Sequence, residues 1–193
     1  MLALPLALTT LALAAGPAPE AEAPRAAARA YFEALVAGDA ERALALVDAP
    51  SDADRMVVRA SAAMERGLAR LEDVAVSRFG ERGHLGLPAH QRRFLAAVDA
   101  ATVEITGERA AVRPEGGKPV FLRRAGGAWK VLSPAERLTG EERKALEEAL
   151  ARTEAATKDV AERIRAGAVK SAREARDALM KALGHPEEEG VPL

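Results

Sequence analysis

TVEITGERAAVRPEGGKPVFLRRAGGAWKVL, residues 102–132, is where the chain changes period. Val103 and Ile105 alternate with Glu104 and Thr106, Ala110 and Val112 with Ala111 and Arg113, and Val120 and Leu122 continue the pattern to Trp129 and Val131. A period of two marks strands with one buried face. Gly107, Gly116-Gly117 and Gly126-Gly127 punctuate them, and a Gly-Gly pair supplies the positive φ angles of a two-residue hairpin turn. The stretch therefore predicts an antiparallel meander whose apolar face needs a cover, with Trp129, the only tryptophan, pointing inward.

The cover comes from the residues before it. Ala28, Tyr31, Phe32 and Leu35 share one stripe of a helix spanning about 24–37, with Pro24 in its first turn and Gly38 at its end. Asp39 caps a short helix, AERALALVD, with Ala43, Leu44 and Val47 on its buried side. Ser51 and Asp54 open a long third helix whose apolar positions run from Val57 to Phe79. GERGHLGLP interrupts it, and AHQRRFLAAVD resumes with Phe94, Leu95 and Val98 turned inward. The expected fold class is α+β: helices packed on a curved, cone-like antiparallel sheet, followed by a long C-terminal helix or helical hairpin.

That last segment begins at a second capping box, Thr139 with Glu142. Leu146, Leu150, Thr153, Thr157, Val160 and Ile164 then repeat at spacings of four and three. A stripe so long must meet another helix: its own second half, the helix 51–79, or a neighbouring chain. Gly167 and Ser171 favour a bend within 165–171, because glycine weakens a helix interior and serine caps the next helix. Four regions follow: a signal peptide with a Pro-rich linker at 1–23, an α+β body at 24–133, a helical extension at 134–185 and an acidic tail at 186–193.

The apolar run Leu2–Ala15 is shorter than a membrane span of ~20 residues and has small residues at Ala12 and Ala14, as a signal peptidase requires. Export is the expectation, to the periplasm or the exterior, with no membrane span in the mature chain. A formal charge of −1 gives no clustered positive field for nucleic acid, and Arg92-Arg93 and Arg123-Arg124 read as solvated surface. Absence of cysteine excludes disulfides, thiolate metal sites and a cysteine nucleophile. His84, His90 and His185 have no metal-ligand spacing, and no phosphate-cradling loop or nucleophile elbow is present. No cofactor and no metal are expected.

With ARAYFEALVAGDAERALALVD at the start and GGAWKVL at the end, residues 24–132 resemble the nuclear-transport-factor-2-like superfamily, a cone-shaped α+β fold. That resemblance implies either a noncatalytic secreted or binding domain or an enzyme of the isomerase or cyclase type, which lines the cone with an acid or base. Asp99 and Tyr31 are the polar candidates for such a role, since a buried carboxyl beside a phenol exchanges protons with a small ligand. Otherwise Asp99 is a helix-to-strand connector and Tyr31 a core aromatic. A ligand cavity would be lined by Tyr31, Phe32, Leu35, Phe94, Val98, Ile105 and Trp129. With so few ionisable groups on inward positions, the expected function is a noncatalytic module for protein contact or self-association through the C-terminal helix. A small-molecule binder or isomerase/cyclase-type enzyme is the alternative.

Overall fold

A computed structural model describes residues 19–133 and 138–184, the side chains of 19 and 88–90 excepted; the signal-peptide run, His185 and the acidic tail lie outside the described residues. Among the described residues six α-helices and a five-stranded sheet follow one another as α1 (Pro19–Val36), α2 (Ala40–Leu46), β1 (Val47–Asp48), α3 (Asp52–Phe79), α4 (Leu87–Asp99), β2 (Thr102–Thr106), β3 (Arg109–Arg113), β4 (Val120–Ala125), β5 (Ala128–Leu132), α5 (Gly140–Arg165) and α6 (Ala172–Ala182). The architecture is α+β, as the period change requires. Among the described residues no helix is long and apolar enough to cross a membrane.

The meander forms as expected, β2 to β5 each antiparallel to the next. Gly126 and Gly127 both take positive φ, 59° and 82°, as the tight β4–β5 turn demands. Val112, Leu122, Trp129 and Val131 are buried on the face that α1 crosses, in one cluster with Ala28, Tyr31, Ala34 and Val98.

Four expectations need correction. The sheet is mixed rather than wholly antiparallel, because Val47 and Asp48 leave the helical pattern and pair parallel with Val131 and Leu132. Val47 is buried as expected, but in a strand, where its β-branch fits the pleat. Helix α1 begins at Pro19, so Pro24 lies within it, near enough to its start that the missing N–H removes only one helical bond. Ile105 shares the inner face through its pairing with Ala110, yet is 37% exposed, because β2 is an edge strand the helices cover incompletely. Arg123 and Arg124 reach solvent as expected, and each has a neighbour there: Arg123 Nε donates to Asp48 at 2.7 Å, while the Arg124 guanidinium lies 5.2 Å over the Trp129 ring.

The C-terminal segment bends where glycine and serine direct it. Gly167 has φ 73°, and the Ser171 side chain accepts from Glu174 N to cap α6. Helix α5 runs parallel to α3 and buries Leu150 against Val57 at one end, and Val160 and Ile164 against Leu71 at the other. Thus the stripe meets the long helix of its own chain, and α6 folds back onto both.

The start of α3 locks these parts together. Ser51 and Asp54 form the capping box, and Asp54 is 3% exposed. Burial pushes its pKa up, but hydrogen bonds from Ser51 and Ser133 and the nearby Arg143 charge outweigh this and hold it below the ordinary carboxylate value. A depressed folded pKa contributes stability that is present above ~4, the unfolded value, and is lost as pH falls through the folded one. Urea midpoints should therefore drop below about pH 4 in the parent chain, whereas Asp54→Asn should cost about 1 kcal/mol at neutral pH and show a shallower acid limb.

Candidate functional site

Most of the residues expected to line a cavity are brought together, packed against one another. Phe32 stacks edge-on with Tyr31 at 5.2 Å and with Phe94 at 4.8 Å between centroids. Tyr31, Val98 and Trp129 are buried in the same cluster, and Phe32, Leu35 and Phe94 pack against it partly buried. Ile105 stands outside it.

The two polar candidates do not meet. Burial pushes the Tyr31 hydroxyl up to about 12, so it stays protonated at neutral pH. Asp99, 46% exposed, forms an ion pair with Arg29 at the surface, and no hydrogen bond joins it to Tyr31. Arg29 also donates to Glu33, so Asp99 is tied to α1 as a helix-to-helix clamp.

Of the clefts formed by described residues, three lie along α3, away from these side chains. The largest, about 680 Å³, opens where the segment 80–86 leaves α3. Its chemistry centres on Glu72, 5% exposed, which accepts from Leu85 N at 3.0 Å and from His84 Nδ1 at 3.0 Å. Ser77 and Arg92 line the same cleft, and the contact of His84 is with Glu72.

Glu72 instead fastens the connector. Leu85 is held through both backbone groups, its N–H by Glu72 and its carbonyl by Arg176 Nη2 of α6 at 3.2 Å. Sequence reasoning passed over Glu72, although a signal existed: it lies on the buried side of α3 beside Leu71, with Leu68 and Ala75 a turn away, where a carboxylate needs partners. No group of His, Asp and Glu among the described residues is arranged to hold a metal ion. The His90 side chain and His185 lie outside the described residues.

The second cleft, about 310 Å³, runs between α3 and α5 and is lined by Arg66, Arg70, Lys158 and Arg165 together with Glu154 and Glu162. Sequence reading missed this grouping because its two halves come from distant helices.

Comparison with known protein families, with curated proteins and with solved structures finds no match for this chain.

Proposed function

We propose that this chain is an exported, noncatalytic module that works through protein contact, and that the contact is with a second copy of itself. The observation that carries the reading is the free edge of β2, which pairs only with β3 among the described residues. Its sequence, Thr-Val-Glu-Ile-Thr, reads nearly alike in both directions. Antiparallel pairing about a two-fold axis at Glu104 sets Thr102 opposite Thr106 and Val103 opposite Ile105, matching like faces across the interface. The one repulsive pair, Glu104 against its copy, is moderated because Arg113 Nη2 already lies 3.0 Å from each carboxylate. Ile105, part exposed in one copy, gains a neighbour in the other.

Noncatalytic action is supported by the placing of the buried carboxylates among the described residues, Asp54 and Glu72, which both lie on α3 and bond to backbone N–H groups rather than standing beneath the meander. The helix-then-meander order of 24–132 supports a place beside the nuclear-transport-factor-2-like domains that act by binding. The C-terminal stripe is less suited to the contact, since α3 of the same chain already covers it. Export rests on the run Leu2–Ala15 and on Ala12 and Ala14.

Light scattering across a concentration series tests the contact. The mature chain should be a dimer, and Ile105→Lys should weaken it by about tenfold or more, since a lysine on an edge strand blocks strand addition. Thermal stability should change little. A parent chain that stays monomeric throughout, or a dimer indifferent to Ile105→Lys, contradicts the proposal.

A further inference from the structure

The groove between α3 and α5 has a built-in asymmetry of charge. Arg66 and Arg70 stand one turn apart on the α3 rim, and Lys158 and Arg165 two turns apart on the α5 rim, so each pair shares a helix face. None of the four makes an ion pair with a carboxylate among the described residues, and Glu154 and Glu162 leave the cations in twofold excess. Arg66 is fixed in place because its Nη2 donates to the Gly38 carbonyl, which holds the guanidinium at the rim.

The floor is made by close approach of the two helices. A Cβ on Gly67 would lie 2.8 Å from Thr157 Oγ1, and that hydroxyl already donates to the Glu154 carbonyl at 2.8 Å. Small side chains at the crossing thus sink the floor while long basic ones raise the rims. Guanidinium groups present paired N–H donors that match the oxygens of a phosphoryl group. Four cations across a cleft of about 310 Å³ suit a compact ligand carrying more than one negative charge.

We propose that this groove binds a diphosphate group, free or as part of a small phosphate ester, with Arg70 and Lys158 facing each other across it and Arg66 and Arg165 extending the two rims. The site is separate from the β2 edge and does not depend on self-association.

Titration calorimetry of the full chain with inorganic pyrophosphate, against sodium sulfate at equal ionic strength, tests it. Pyrophosphate should bind measurably tighter than sulfate, and Arg70→Gln and Lys158→Gln should each weaken it by about tenfold. All four cations are exposed, so these variants keep their core and should retain parent thermal stability. Arg173→Gln on α6, away from the groove, should leave binding unchanged. ADP titrated in parallel should bind at least as tightly as pyrophosphate if the esterified form is accepted, and more weakly if the free ion is the ligand. Pyrophosphate binding no tighter than sulfate, or binding that survives both Arg70→Gln and Lys158→Gln, overturns the assignment.

Discussion

Trp129→Ala should lower the unfolding free energy by about 3–5 kcal/mol, the largest loss expected of any single truncation in the sheet. The indole is 8% exposed and belongs to a cluster with Tyr31, Leu122 and Val131, so its removal takes away transfer energy and leaves a void the fixed strands close poorly. Arg124 also loses the ring beneath it, a contact worth about 0.5–1 kcal/mol. Ile105→Ala on the same sheet face supplies the contrast. With 37% of its surface in water, it should cost under about 1 kcal/mol. Urea denaturation followed by circular dichroism measures both, and equal losses for the two would mean that the helices do not cover the sheet as described.

Gly83→Ala is the second large effect, and its cause lies at the other core. A Cβ at this position would sit 2.3 Å from the Ala75 carbonyl oxygen and 2.7 Å from Val76 Cα, both backbone atoms that cannot swing aside. The connector is pinned there from three sides, since Leu85 is bonded to Glu72 and Arg176 and its side chain is buried with Leu71 and Val160. Room must come from displacing α3 or tearing Leu85 from its partners, at about 3 kcal/mol. Gly86→Ala should differ in kind. Nothing lies within 4 Å of the place its new methyl group would take, and only its φ of 83° opposes the change, at about 1–2 kcal/mol. A lowered midpoint with an unchanged denaturant slope identifies the expected clash in Gly83→Ala.

Much of this fold is written in local chemistry. The period-two runs, the Gly126-Gly127 turn, the Ser51 and Thr139 capping boxes and the bend at Gly167 depend on residues within a few positions of one another, and each appears in the structure. What stayed hidden depends on distant partners. β1 is two residues long and exists only because β5 offers an edge to it, so Val47 reads as helix until Val131 is beside it. The exposure of Ile105 follows from how far the helices reach across β2, which alternation does not encode.

The candidate site was legible to a lesser degree. The aromatic group around Tyr31 and Phe94 assembles from the helix stripes that predict it, but whether it encloses a void depends on packing volume rather than on pattern. Glu72 looks like one more surface acid until the connector returns to it. The basic groove needs α5 laid parallel on α3, an arrangement set by Leu71, Val160 and Ile164 and invisible in either helix alone.

We infer that the space beneath the meander is occupied by the protein itself, which would leave its work to the outer surfaces. Acrylamide quenching of the lone tryptophan in the native full chain addresses this most directly, because the quencher must reach the indole to act. Trp129 should be quenched several-fold more slowly than free indole, with emission toward the blue that shifts only on unfolding. Quenching near the free-indole rate in the folded chain would reveal an open path from solvent to the ring and contradict the account.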